Sequence, residues 1–179
     1  KKKILDFDYI IYSGSYKYLP NKFAIDFLVN KVMPKLIKYN PQLKLVLTGG
    51  GYKKTKKKFL KNLGIVRKNN LLNLIYNSKA MAVPLNKGTG TRIKIIEALS
   101  IGAKVLSTPK GAEGIILNNK IKSSLIISSK VEFIKKLKKL INSSPKFKKL
   151  KSFHKDYLME NIVSKFLNQS NVKRIIKKN

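Results

Sequence analysis

The chain has 179 residues, 43% of them hydrophobic, which fits a single domain with a buried core. Its 40 lysines and arginines outnumber 8 acidic residues and give a net charge of +32, and no cysteine is present. These values exclude a disulfide framework and a thiolate metal site, and no apolar run approaches the roughly 18 residues that a membrane-spanning helix requires. Because His154 is the only histidine, we predict neither a metal site nor a cofactor.

The positive charge is carried almost entirely by lysine, since only Arg67, Arg92 and Arg174 are arginines. A protein that reads nucleic-acid sequence would be expected to use more arginine, whose planar fork suits phosphates and base edges. Three explanations stay open: the amino-acid usage of an AT-rich genome, peripheral contact with an anionic membrane, and non-specific attraction to nucleic acid. No specific nucleic-acid partner is predicted. The N-terminus lacks the apolar stretch of a signal peptide, so we expect a cytoplasmic protein, with the inner face of the membrane as the other location considered.

The hydrophobic pattern alternates between strands and helices. In chain order it predicts strand 9–14, helix 22–38, strand 43–48, helix 53–62, strand 64–67, helix 71–77 and strand 80–85. There follow a helix between Gly90 and Gly102, strands 103–107 and 124–128, helix 131–141 and a helical tail over about 146–167. Pro34 is expected to kink the first helix because proline lacks a backbone N–H.

Strands that are each followed by a helix predict an α/β fold, a Rossmann-like parallel sheet with helices on both faces. Ligands of such sheets bind at the carboxyl ends of the strands. Glycines lie at these ends after three of the predicted strands, at positions 14, 49–51, 88 and 90. The sequence therefore predicts one binding site assembled from several loops.

Residues 88–97 are the most informative segment. Glycines ahead of a helix let the backbone approach a ligand closely, and the helix N-terminus offers free N–H groups and a positive dipole. Arg92 and Lys94 add positive charge in the first turn, which opposes that dipole and is explained if an anion binds there. The alternative, a solvated turn with an ordinary pair between Lys94 and Glu97 on one helix face, stays open.

Three stretches resemble, in the right order, the donor-binding domain of glycosyltransferase family 4 and its GT-B relatives. They are YSGSYKYLPNKFAI from Tyr12, LKLVLTGGGY from Leu43, and PLNKGTGTRIKIIEALSIGAKVLSTPKGAEGI over residues 84–115. The likeness implies the C-terminal half of a GT-B fold, which would transfer a sugar with retention from a nucleoside diphosphate sugar to a glycan, lipid or protein acceptor. It also implies an N-terminal acceptor domain as a partner, without which the chain is expected to be inactive.

The resemblance implies a division of the chain and a set of site residues. Residues 1–8 would be a linker or a remnant of a preceding segment, 9–145 the donor-binding domain, and 146–179 its C-terminal helices. The residues that would bind the donor diphosphate are Gly14, Ser15, Gly88, Thr89, Gly90, Thr91, Arg92 and Lys94. Glu97 matches the glutamate that binds the ribose hydroxyls, a role for an acceptor-only carboxylate. The strip whose backbone would hold the nucleobase is Ile65, Val66 and Arg67, and no catalytic residue is assigned.

Two departures from the family pattern are visible. Thr89 stands where many members carry the first of two glutamates, which bears on the sugar contact more than on nucleotide binding. The basic pair near the first loop is also incomplete, with Lys17 and Lys22 but no arginine. Two alternatives stay open: a GT-B relative such as a sugar-nucleotide epimerase or a phosphorylase, and a basic module that binds nucleic acid non-specifically.

Overall fold

The computed structural model describes residues 4–53, 56–89, 92–115 and 124–143, and within them the chain forms one six-stranded sheet. The strands are β1 (Tyr9–Ser13), β2 (Lys44–Thr48), β3 (Leu60–Asn62), β4 (Ala80–Val83), β5 (Val105–Ser107) and β6 (Leu125–Ile127). Every neighbouring pair is parallel, in the order β3-β2-β1-β4-β5-β6. The predicted Rossmann-like α/β fold is confirmed. The strand order reverses between β1 and β4, and this position, the switch point of the sheet, is where such sheets bind ligands.

Helices cover the sheet. They are α1 (Leu19–Phe27), a π-helical segment (Leu28–Val32), α2 (Met33–Leu36), α3 (Lys68–Asn77), α4 (Ile93–Ser100) and α5 (Phe133–Asn142), with a 3₁₀ turn at Lys110–Ala112. Phe27 packs edge-to-face on Phe133 with ring centroids 5.9 Å apart, which joins α1 to α5. The hydroxyl of Tyr9 donates to the backbone oxygen of Leu74 at 2.7 Å and so joins β1 to α3. The described residues share one hydrophobic core.

A π-helical segment interrupts the first helix just before Pro34, the position at which a kink was predicted. Proline has no N–H to donate, and its ring collides with the carbonyl four residues earlier. The chain responds by widening into a π turn just before Pro34, in which the Met33 N–H donates to the oxygen of Leu28. Leu28 and Met33 both stay fully buried. The widened turn therefore accommodates the proline and keeps the apolar face on the core.

The prediction for residues 53–67 is wrong. The described residues of 53–62 are not helical and end in β3, and 64–67 is not a strand, because Gly64 turns the chain toward α3 with a φ of 63°. Neighbouring lysines repel one another along a helix, and this segment has too few apolar residues to form a buried helical face. Leu60 instead pairs with Leu45 at the edge of the sheet.

The other predicted strands and helices within the described residues are confirmed, with ends that differ by a few residues. The predicted helical tail over 146–167 and His154 lie outside the described residues. None of the helices in the described part of the chain combines the length and the hydropathy that a membrane crossing requires. The division at residues 8 and 145 stays a prediction.

Candidate functional site

The loops after β1 and β2 meet backbone to backbone at the switch point. The N–H of Gly14 donates to the oxygen of Thr48 at 2.9 Å, and that of Tyr16 donates to the oxygen of Gly50 at 2.8 Å. Gly49 has a φ of 114°, and a Cβ added there would lie 2.5 Å from the Gly14 oxygen. Only glycine allows this approach. The two glycine segments predicted to lie at one edge of the sheet are therefore in direct contact.

Lys94 extends from α4 to the carboxyl end of β1. Its ammonium donates to the backbone oxygen of Ser13 at 2.8 Å and to Oδ1 of Asn21 at 3.1 Å, with a longer contact of 3.5 Å to the Tyr12 hydroxyl. Burial, and to a smaller degree the charge of Arg92, lowers the pKa of Lys94 to about 8. The ammonium therefore places a positive charge beside the Gly14 loop at neutral pH.

Arg92 holds the loop that precedes α4. Its side chain is only 7% exposed. The guanidinium donates to the backbone oxygens of Gly88 at 3.1 Å, Thr89 at 3.3 Å and Lys110 at 2.9 Å, and to Oε2 of Glu113 at 3.2 Å. A bond to Lys110, followed by charge from Lys110 and Arg92, lowers the pKa of the Glu113 carboxyl. Arg92 thus joins the β4–α4 loop to the turn after β5.

Glu97 lies one turn further along α4 and bonds a different lysine from the one considered from sequence. Lys68, at the start of α3, donates to Oε1 of Glu97. The suggested pair between Lys94 and Glu97 is replaced, because the Lys94 ammonium turns to β1 instead. The Glu97 side chain is 17% exposed. Its carboxylate is therefore accessible at the junction of α3 and α4.

The strip suggested for the nucleobase directly precedes α3. Ile65 is 86% exposed, Arg67 is exposed, and Val66 is half-buried against the core. Because Lys68 follows this strip and bonds Glu97, the suggested base and ribose positions lie next to each other. Gly90 and Thr91, the remaining suggested phosphate ligands, lie outside the described residues.

Two tyrosines in the loops that follow β1 and β2 pack on each other. Tyr16 and Tyr52 form an edge-to-face pair with centroids 5.0 Å apart, and the Tyr16 hydroxyl donates to Asp26 at 2.9 Å. Burial, with help from the bond to Asp26, raises the pKa of Tyr16 to about 12. Tyr18 is half exposed beside Gly88. Of the three, Tyr18 alone presents much of its ring to solvent.

The sequence interpretation missed the part that Tyr12 plays in this site. Its hydroxyl donates to Oδ1 of Asn21 at 2.6 Å beneath the Lys94 ammonium, and burial raises the pKa of Tyr12. Tyr12 was visible only as an aromatic strand residue, since the contact depends on where α1 and α4 meet β1. The available signal was a tyrosine at the end of a predicted buried strand, because a buried tyrosine hydroxyl usually has a hydrogen-bond partner.

A family model matches most of the chain, and several solved structures resemble its fold. A family model described as "Glycosyl transferases group 1" matches residues 8–143. The structure of TarM shares 19% identity with a TM-score of 0.65, and the match covers 94% of this chain and 36% of TarM. The GtfA/B complex shares 14% identity with a TM-score of 0.61, covering 96% of this chain and 36% of that one.

A third solved structure is a single domain. It is the C-terminal domain of LpcC, a glycosyl transferase group 1 family protein from Francisella tularensis, with 18% identity and a TM-score of 0.54. The match covers 91% of this chain and 87% of that domain. No curated protein sequence matches the chain. The chain thus spans about a third of the length of TarM and most of the LpcC domain.

Proposed function

The chain belongs to the glycosyl transferases group 1 family, and we propose that it binds the nucleoside diphosphate sugar donor at the switch point of its sheet. The observation that carries this proposal is the Lys94 ammonium, held 2.8 Å from the Ser13 oxygen beside the Gly14 loop. The three groups that hold the ammonium are all neutral, so its positive charge has no negative partner among these contacts. A bound diphosphate would provide the negative charge that explains it.

The proposed subsites follow the order of the loops. The diphosphate lies against Gly14, Ser15 and the segment 88–91, with the positive charge of Lys94 beside the Gly14 loop. The ribose hydroxyls donate to Glu97, and the base lies along residues 65–67. The Lys68–Glu97 bond, which joins α3 to α4, supports placing the base next to the ribose.

The reaction we propose is glycosyl transfer with retention. The bond between the anomeric carbon and the diphosphate oxygen breaks, and the acceptor oxygen forms the new glycosidic bond on the same face of the sugar. The acceptor hydroxyl gives up its proton in this step, to the leaving diphosphate or to water. The leaving nucleoside diphosphate gains negative charge in this step. Fixed positive charge and helix N–H groups stabilise that charge, which is a large part of what an enzyme can supply to such a step.

The acceptor is expected to bind to a second, N-terminal domain, because the chain spans 36% of TarM. Transfer requires both reactants in one geometry, an effect that is worth about 7–11 kcal/mol. The 179-residue chain alone should therefore give no transfer in assays with donor and acceptor panels. Robust transfer without an added N-terminal domain would contradict this proposal. A lipid-linked acceptor would place the enzyme at the inner face of the membrane, where exposed lysines suit anionic headgroups.

A thermal-shift panel tests donor binding. Ligands that bind only the folded state raise the unfolding temperature by mass action. We expect uridine or guanosine diphosphate at millimolar concentration to raise it, and the matching nucleosides, which lack the diphosphate, to have little effect. Inorganic pyrophosphate and sulfate serve as controls for charge alone. A panel in which no nucleoside diphosphate has an effect beyond that of pyrophosphate would contradict the proposal.

A further inference from the structure

The side-chain amide of Asn21 is the centre of the hydrogen-bond network at the switch point. It is 8% exposed. Its Oδ1 accepts from the Tyr12 hydroxyl at 2.6 Å and from the Lys94 ammonium at 3.1 Å, and its Nδ2 donates to the backbone oxygen of Ser15 at 3.0 Å. One amide therefore joins β1, the β1–α1 loop and α4.

The same amide also lies directly against the glycine of the loop. A Cβ added at Gly14 would lie 2.7 Å from Cγ and Nδ2 of Asn21. Pro20, within the first two positions of α1, fixes the backbone just before Asn21. The loop backbone and the Asn21 side chain thus determine each other's position.

The chemistry of this position requires an amide. The site uses an oxygen that accepts twice and a nitrogen that donates once, and only asparagine or glutamine carries both groups. Aspartate would keep the acceptor but would place a second oxygen against the Ser15 carbonyl. Glutamine is one methylene longer, so its amide would extend past the position at which Asn21 contacts its three partners.

We propose that Asn21 is a positioning residue that holds the Lys94 ammonium and the Gly14–Ser15 loop in one arrangement for a donor diphosphate. This inference rests on the proposed diphosphate binding. It explains how a first loop that has lysines but no arginine gains a cation in a fixed position: Lys94 of α4 supplies it, and Asn21 with Tyr12 determines where it lies. The contact from Lys94 to the Tyr12 hydroxyl is the longest of the three, at 3.5 Å. The ammonium hydrogen that forms it is therefore the one that would turn to donate to a phosphate oxygen.

Two readouts on the full chain test the role of Asn21. The first is the NMR titration of Lys94 in protein with ¹³C-labelled lysine, with the signal assigned from its loss in Lys94→Met. Asn21→Asp is expected to raise the pKa of Lys94 above the value in the wild-type chain, because a carboxylate replaces the amide oxygen. The second is the calorimetric affinity for uridine and guanosine diphosphate.

Asn21→Ala should weaken nucleotide binding by about tenfold or more, since a hydrogen bond to a charged group is lost. Tyr12→Phe removes only the hydroxyl and should weaken nucleotide binding less than Asn21→Ala does. It tests the same hydrogen-bond network if Asn21→Ala does not fold. Asn77→Ala is the matched control, because Asn77 bonds locally to Asn73 at the end of α3. It should bind as the wild type does.

The outcomes separate the two proposals. Equal affinity in Asn21→Ala and Asn77→Ala would overturn the positioning role while leaving donor binding in place. A Lys94 titration that is unchanged in Asn21→Asp would overturn it whether or not nucleotide binds. A wild-type chain that binds no nucleoside diphosphate would contradict the proposed function itself, and the inference would fall with it.

Discussion

Two groups of cations in this molecule carry the same kind of charge but differ in their hydrogen-bond partners. Arg92 and Lys94 at the switch point have most of their donor hydrogens placed on backbone and side-chain oxygens. Lys135, Lys138 and Lys139 of α5 line an open pocket of about 500 Å³ and form no ion pair within the described part of the chain. The net charge of +32 does not distinguish between these two groups.

The placement of positive charge, and not its amount, distinguishes the proposed site. A lysine on the surface keeps its water and contributes little to stability. A cation taken out of water is destabilising unless fixed oxygens surround it. The side chains at the switch point therefore carry information about a ligand that the α5 lysines do not.

The largest effect is expected from Arg92→Ala. It leaves the oxygens of Gly88 and Lys110 without their donor and should lower the free energy of unfolding by about 3 kcal/mol. Urea denaturation measures this. Arg67→Ala is the matched control, since Arg67 is exposed, and it should change the same quantity by less than about 0.5 kcal/mol. Equal losses in the two variants would mean that Arg92 is no more than a surface arginine.

A smaller effect is expected from Glu97→Ala on nucleotide affinity. The loss of a charged acceptor for the ribose hydroxyls should weaken nucleoside diphosphate binding by about tenfold. Stability should change little, because the Lys68 side chain that loses its partner is 60% exposed. Glu132→Ala, at the start of α5, removes an exposed carboxylate far from the proposed subsites and serves as the control. Unchanged affinity in Glu97→Ala would remove the ribose role.

The smallest effect concerns the α5 lysines and nucleic acid. Wild-type binding to duplex DNA is expected to be independent of sequence and to fall steeply with salt, because it depends on counterion release. The variant K135Q/K138Q/K139Q should bind DNA only slightly more weakly, since lysines are scattered along the whole chain. Gel-shift titrations over a salt series check both points. A sequence-selective complex that survives physiological salt would show that the lysines form a recognition surface.

The sequence predicted the fold well because the strands are short apolar runs and the glycines lie at their ends. It also placed Lys94 and Gly14 in one site, since the carboxyl ends of parallel strands meet at one edge. It failed over residues 53–67, where lysine-rich sequence lacks a clear period and pairing with β2 decides the structure. It did not predict that Glu97 would bond Lys68, because a contact between α3 and α4 depends on how the helices pack.

Calorimetric titrations of a nucleoside diphosphate into Lys94→Met and K135Q/K138Q/K139Q test directly whether Lys94 binds the diphosphate. We expect Lys94→Met to weaken binding by about tenfold or more at neutral pH and the triple variant to bind as the wild type does. Wild-type affinity should fall as the pH rises through about 8, where Lys94 loses its proton, and Lys94→Met should lack this dependence. Over the same range, from about 8 to the usual 10.5, the Lys94 contribution to folding stability should rise, since the folded chain binds fewer protons than the unfolded one. Nucleotide affinity that depends on the number of lysines, with Lys94→Met binding as the wild type does, would contradict the proposed role of Lys94.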